Sequence, residues 1–415
     1  MATVRPFRGL RPKPEFAEKI ASPPYDVLSS DEARELAKGN PQSFLHVIKP
    51  EVDLDPSTNL YDERTYLKGR ENLDRLMKSG YLAQDPQPCF YLYMLKMGDH
   101  VQTGLVAVAS IAEYEQNKIK KHEHTRLDKE KDRAKHINVL DAQAGPVFLT
   151  FRANEKVDAV LTRARGKAPV YDFTAADGIQ HTFYVVDEEQ TIKDIEKAFS
   201  DLDCLYVADG HHRSAAAARV MHERKAANEN HTGSEEYNYF LSVIFPHDQM
   251  YIMDYNRVVA DLHSYSPEDF LAGLQGRFNC RQTGKTGTPY KPSQKHTFGM
   301  YLGTSWYELK CKPGSFDDAD PVHSLDVSIL QENLLDSILG INDPRTDRRI
   351  SFVGGMRGLD ELERLVNSGK YKVAFSLFPT SIEELMAIAD AGKVMPPKST
   401  WFEPKLRSGL ITHLI

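Results

Sequence analysis

Five consecutive residues, Asp209-Gly210-His211-His212-Arg213, concentrate more chemistry than any other stretch of this 415-residue chain. Two imidazoles and a guanidinium are donors suited to phosphate or carboxylate oxygens. Asp209 can orient an imidazole, hold a substrate amine, or offer an oxygen ligand to Mg2+. The apolar run Cys204-Leu205-Tyr206-Val207-Ala208 precedes them, and Ser214-Ala215-Ala216-Ala217-Ala218-Arg219-Val220-Met221 follows. This pattern predicts a strand, a polar turn with one glycine, and then an alanine-rich helix. The first N–H groups of that helix would point at the turn and favour an anion. The plainer alternative is a turn whose histidines cap and pack.

A second cluster is His122-Glu123-His124-Thr125-Arg126, followed by Asp132-Arg133. It lacks the HExxH spacing of a zinc protease. On an extended strand His122 and His124 would face one way and Glu123 the other, leaving Glu123 free as a base while Arg126 and Arg133 hold anions. A solvated charged face is the competing account. Near the C-terminus, Met395-Pro396-Pro397-Lys398-Ser399-Thr400-Trp401-Phe402-Glu403-Pro404-Lys405 carries a Lys-Ser-Thr triplet. Two prolines stand where a phosphate-wrapping loop needs glycines, which excludes a Walker A site. Lys398 with the hydroxyls of Ser399 and Thr400 can still hold a phosphate; otherwise the run is a stiff strap packed by Trp401 and Phe402. Tyr255-Asn256-Arg257 and Arg345-Thr346-Asp347-Arg348-Arg349 are weaker signals, the second reading as a solvated turn. No GxGxxG, GxSxG or DFG-type set occurs.

The elements around these residues alternate. Ser29 stands three residues before Glu32, a capping-box spacing that starts a helix over 31–38. Residues 61–80 read as an amphipathic helix with Leu67, Leu73, Leu76 and Met77 on one face. Residues 90–95 and 103–111 read as paired strands. The charged segment 118–133 shows no apolar face. Helices are expected at 156–165 and 188–201, strands at 169–173, 181–186, 239–245 and 251–259. Composition changes near residue 262. Beyond it a helix starts at Ser266-Pro267, 283–295 is a loop, and 297–302 with 306–311 form a hairpin. Helices follow at 325–339, 358–367 and 381–391, with a strand over 371–377. The fold class is α/β with α+β mixing. Residues 1–261 are expected to form the catalytic region and 262–415 a C-terminal α/β region that lends the Lys-Ser-Thr segment.

Composition sets outer bounds. With 41% hydrophobic and 27% charged residues, the chain is long enough for two or three cores. A net charge of −7 and an acidic pI of about 6.1 argue against general nucleic-acid binding. Cys89, Cys204, Cys280 and Cys311 form no CxxC pair, so a reducing, cytoplasmic setting is expected. No signal-peptide pattern or membrane span is evident.

Four motifs together resemble a family catalogued only as a conserved domain of unknown function. They are Pro-Pro-Tyr-Asp-Val at 23–27, His-Glu-x-Thr-x at 122–126, Asp-Gly-His-His-Arg at 209–213 and Pro-Pro-Lys-Ser-Thr-x-Phe-x-Pro-Lys at 396–405. A more distant resemblance is to free L-serine kinases of the ParB/sulfiredoxin-type fold, which carry a His-Glu pair and, further on, an Asp-Gly-His-His-Arg box. That resemblance implies a ParB/sulfiredoxin-like catalytic core with inserted and C-terminal α/β elements. It implies transfer of a phosphoryl group to the serine hydroxyl, giving O-phospho-L-serine for amino-acid and cysteine biosynthesis.

By motif, Glu123 becomes the base, with His122 beside it and Asp209 orienting serine or a metal-bound water. Gly210, His211, His212, Arg213 and Arg126 become the phosphate pocket, closed by Lys398, Ser399 and Thr400. Tyr25, Asp26 and Arg257 fall to the serine side. The expected partners are L-serine, a donor (pyrophosphate, or ATP or ADP) and Mg2+ with unassigned ligands, with a possible homodimer and no nucleic acid or membrane. In the short kinases the His-Glu pair and the box are close, whereas here roughly eighty residues separate them; an inserted subdomain would account for this. The alternative is a ParB-like nucleotide-binding regulatory or DNA-binding protein. A sulfiredoxin-like reductase would need a cysteine in the box.

Overall fold

A computed structural model describes residues 2–415. The chain packs as two units. The first runs to Met250 and takes in Pro404–Ile415, and the second is Tyr251–Glu403.

The first unit is built on a nine-stranded mixed sheet. Its path runs Ile119–Lys120, Leu205–Asp209, Val147–Phe151, Tyr239–Pro246, His100–Ser110, Phe90–Met97, Gln180–Val186, Tyr171–Thr174, and Val4–Arg5 pairs beside His100–Ser110. Two pairings are parallel, Leu205–Asp209 with Ile119–Lys120 and Tyr239–Pro246 with Val147–Phe151. The central strands are rich in apolar residues and buried along most of their length. Val147–Phe151 is buried at every position. Leu105, Leu149, Phe151, Phe199, Val207 and Ile244 sit together in the core. Removing this apolar area from water is the main stabilising contribution.

Helix Glu63–Lys78 occupies the expected span, but its inward face differs. Leu73 and Leu76 are buried beside Tyr66, whereas Leu67 and Met77 are exposed. The charged segment also departs from expectation. Leu127–Leu140 is one continuous helix, packed on His211–Ala227 through Ala134, Ile137, Ala216 and Val220. Its buried residues, Ala134, His136, Ile137 and Leu140, are confined to the second half of the helix, too short a stripe to show as apolar periodicity.

The second unit carries a six-stranded antiparallel sheet in the order Phe278–Lys285, Ser305–Cys311, Thr297–Leu302, Val373–Ser376, Tyr255–Val259, Ile350–Gly354. Val258, Tyr301, Trp306, Leu362 and Tyr371 form its core. The Trp306 indole N–H donates to Glu363 at 2.7 Å. The architecture is mixed α/β, as the alternation of elements predicts. Among the described residues no helix is long and apolar enough to cross a membrane.

Candidate functional site

The site grows from the C-terminal ends of two adjacent parallel strands. Ile119 pairs with Leu205 and Lys120 with Tyr206. The chain therefore leaves both strands in the same direction at the same level, His122 following one and Asp209 ending the other. Such strand ends are where open α/β sheets place their ligand sites. This pairing brings together two motifs that lie 89 residues apart in sequence.

Helix His211–Ala227 begins earlier than the sequence implies, so His211, His212 and Arg213 form its first turn. Gly210 is its N-cap at φ 104°, a conformation that disfavours any side chain. A Cβ there would also lie 3.0 Å from Arg213 Nε. Glycine is required both by the backbone and by the guanidinium packed against it.

His122 and His211 are almost fully buried. Their rings meet edge to face with centroids 4.4 Å apart, and the His122 backbone N–H points at His211 Nε2 at 3.4 Å. With Nε2 as acceptor, the His211 proton sits on Nδ1, which lies 3.6 Å from Glu123 Oε2. Burial and the neighbouring His122 hold the His211 imidazole well below its ordinary pKa. Burial pushes His122 down to about 4, against the opposing pull of Asp209. Both rings are neutral near pH 7. His122 Nδ1 is buried with no hydrogen-bond partner.

The strand geometry expected for 122–124 is not what forms. The strand stops at Lys120, and the loop turns both His122 and Glu123 toward His211 while His124 is exposed. His212 Nε2 accepts the Arg126 backbone N–H at 3.0 Å, which ties this loop to the helix. Burial, with Arg126 adding to it, lowers the His212 pKa. The Arg126 guanidinium pairs with Asp128 at 2.8 Å.

Arg213 is the electrostatic centre of the box. Its NH2 lies 3.6 Å from Asp209 and 3.8 Å from Asp26, and its NH1 donates to the Pro146 carbonyl. Burial opposes its charge, but Asp26 and Asp209 outweigh burial and raise its pKa. Its Nε is buried without a partner. Burial would push Asp209 up, yet Lys405 and Arg213 overcome it and hold the carboxylate well below its usual range. Lys405 Nζ reaches Asp209 Oδ2 at 2.9 Å. Lys405 closes the fourth motif without an evident role in sequence; the return of Pro404–Ile415 to the first unit gives it one.

Tyr25 and Asp26 also reach the box. The Arg133 guanidinium stacks 4.3 Å over the Tyr25 ring and is paired with Asp132 at 2.7 Å. Burial and the Asp26 charge raise Tyr25 to about 12. Tyr25, Arg133, His136 and Arg213 border a cavity of about 40 Å3, more than a water molecule needs.

Lys398, Ser399, Thr400 and Arg257 belong to the second unit. There the Ser399 hydroxyl donates to the Pro396 carbonyl at 2.6 Å, and the Lys398 carbonyl accepts from Arg257.

His122, Glu123 and His211 can place one ligand atom each within 4.8 Å of one another, an arrangement able to hold a divalent metal. Two imidazoles with one carboxylate suit a nitrogen-accepting ion such as Zn2+. Mg2+ takes oxygen ligands, and the oxygens facing the box are the carboxylates of Glu123 and Asp26.

A family model described as a protein of unknown function (DUF1015) matches residues 4–328. Among curated proteins there is no match. Similar solved structures include a mutant free serine kinase in complex with AMP, at 13% identity over 74% of this chain and 91% of that chain, TM-score 0.35. A conserved hypothetical protein from Pyrococcus furiosus aligns at 14% identity over 75% and 95%, TM-score 0.34. A C-terminally truncated SbnI from Staphylococcus aureus aligns at 12% identity over 74% and 87%, TM-score 0.34.

Proposed function

The chain belongs to the DUF1015 family of proteins of unknown function, and from that premise we propose that it is a phosphotransferase acting on free L-serine. The donor is pyrophosphate or a nucleotide (ATP or ADP), and the product is O-phospho-L-serine. The observation that carries the reading is the 3.6 Å separation of Glu123 Oε2 from His211 Nδ1. It supports pairing the His-Glu motif with the Asp-Gly-His-His-Arg box as one site.

The serine hydroxyl oxygen attacks the terminal phosphorus of the donor. Glu123 takes the hydroxyl proton, and the bond from phosphorus to the bridging oxygen breaks. That oxygen leaves with its electron pair as phosphate, AMP or ADP. Catalysis of this kind rests on positioning and on neutralising charge. Glu123 is part-exposed, as a base that meets a diffusing substrate must be. His211, neutral and donating from Nδ1, holds the carboxylate in place, and apo contacts of this length tighten when substrate binds.

Arg213 Nε and the first N–H groups of the box helix face the donor oxygens. Asp209, kept ionised by Lys405 and Arg213, aims the guanidinium and orients serine. Asp26, whose carboxylate lies 3.8 Å from Arg213, receives the serine ammonium in this reading, and the Tyr25 ring forms the wall beside it. Mg2+, where it accompanies the donor, would take oxygen ligands, the donor phosphates among them, and would supply further neutralisation of charge.

Incubating the protein with L-serine and pyrophosphate, ATP, ADP or CTP in turn, with Mg2+, and scoring O-phosphoserine tests the reading. Product with at least one donor supports it; none with any donor removes it.

A further inference from the structure

The second unit holds a buried cation that no carboxylate neutralises. Arg257, on strand Tyr255–Val259, is 3% exposed. Its NH1 donates to the Tyr255 carbonyl and its NH2 to the Lys398 carbonyl, the latter at 2.9 Å. The guanidinium carbon lies 5.3 Å from the Phe352 ring centre and 5.9 Å from that of Tyr255. These contacts fix the fork in direction without returning a negative charge. Burial accordingly draws its pKa down to about 10. The other well-buried arginines are compensated: Arg133 has Asp132, Arg213 has Asp209 and Asp26, and Arg407 has Asp177. An isolated buried charge is costly, so Arg257 needs an explanation that these do not.

The guanidinium lines a cavity of about 370 Å3, within the roughly 300–1,000 Å3 range of small-molecule sites. Val327, Leu335 and Phe352 form apolar walls, and Gln331 and Asn342 add amide groups. The other charged lining groups, Arg345 and Asp343, pair with each other at 2.9 Å and nearly cancel. Lys398 adopts φ 61°, unusual for a residue with a side chain, as it turns its carbonyl to Arg257. Backbone held in such a conformation is often found at binding sites.

We propose that this cavity binds a small organic anion, its carboxylate or phosphate on Arg257 and its apolar body against Val327, Leu335 and Phe352. Two of the five guanidinium N–H groups are spent on carbonyls, and the remainder suit one anionic head. All the residues involved lie in 251–403, and the assignment does not rest on the serine-kinase reading.

The test is titration of the full chain with sodium butyrate and with n-butyl phosphate, and with butan-1-ol as the neutral control. Calorimetry and tryptophan fluorescence report binding. Trp401 packs edge-on against Tyr255 at 5.1 Å and is the nearby probe. Saturable binding of at least one anion but not the alcohol is expected, and which anion binds identifies the head group. Arg257→Gln should weaken binding at least tenfold. Asn342→Asp should do the same by setting a carboxylate on the wall, and this exposed position keeps the test valid even where the arginine variant fails to fold. Arg213→Ala removes any anion held by the box of the first unit, and the binding that survives in this variant belongs to the cavity. Absence of anion binding, equal binding of the alcohol, indifference to Asn342→Asp, or loss of all anion binding in Arg213→Ala would overturn the proposal.

Discussion

His122 and His211 stand edge to face, ring centroids 4.4 Å apart, although 89 residues separate them in the chain. Their contact is set by the parallel pairing of Lys120 with Tyr206, which carries two distant motifs to one end of the sheet. Both rings are buried and neutral, so they do not add to the positive charge of the box. That task falls to Arg213 and to the helix N-terminus. The division leaves Glu123 part-exposed beside His211, its Oε2 3.6 Å from Nδ1, where a general base can meet a substrate hydroxyl.

Glu123→Gln is therefore expected to lower serine-dependent turnover by about 10²- to 10⁴-fold, the usual contribution of a general base. Its part-exposed side chain predicts an unchanged melting temperature. Steady-state kinetics beside a thermal melt checks both halves. Wild-type turnover in the variant would remove Glu123 as the base.

How much of this was legible in the sequence follows from the range of each interaction. The capping box at Ser29/Glu32 is local, and it forms. The hairpin of Thr297–Leu302 with Ser305–Cys311 is local as well. The box itself was visible because its residue types are unusual together. Helix Leu127–Leu140 was hidden because its buried face is short and charged residues surround it. The parallel pairing near Lys120 has no local signature, so nothing in the sequence alone brings Glu123 to His211. Lys405 was silent for the same reason: its partner Asp209 lies 196 residues away.

The Lys405–Asp209 pair should show measurable coupling. Lys405→Met leaves the Asp209 carboxylate without its 2.9 Å partner and should cost about 1.5–3 kcal/mol, the range for a hydrogen bond to a charged group. In an Asp209→Asn background the same change should cost clearly less. A double-mutant cycle by urea unfolding measures the difference; strictly additive losses would mean that the contact contributes nothing to stability.

Gly210→Ala tests the turn that aims the box. The positive φ alone should cost about 1–2 kcal/mol, and the new Cβ must displace the Arg213 guanidinium, 3.0 Å away. Donor affinity should fall together with stability. A variant that loses stability but keeps wild-type donor KM would show that Arg213 does not hold the donor.

Buried histidines predict the acid limb of stability. Burial and the adjacent Arg133 push His136 down to about 4, and burial with Arg407 pushes His181 down to about 3. Each already has its neutral tautomer fixed: His136 Nε2 lies 3.1 Å from the Val47 carbonyl, and His181 Nε2 accepts from Arg407 Nε at 3.2 Å. In the unfolded chain both titrate near 6.5. The unfolded state then binds more protons than the folded state below that pH, so stability is complete above about 6.5 and falls as pH drops toward 4. Each histidine contributes at most about 1.4 kcal/mol per pH unit. Asp326 works in the opposite sense: burial raises it to about 7, so its proton uptake favours the folded state as pH falls. Asp209 does not enter this window, because its depressed pKa costs stability only below the unfolded value of about 3.9. Urea unfolding of wild type and His181→Gln at pH 7, 6 and 5 isolates one histidine from the rest. The variant should lose less stability than wild type between pH 7 and 5, and parallel curves would show that His181 takes up its proton without unfolding.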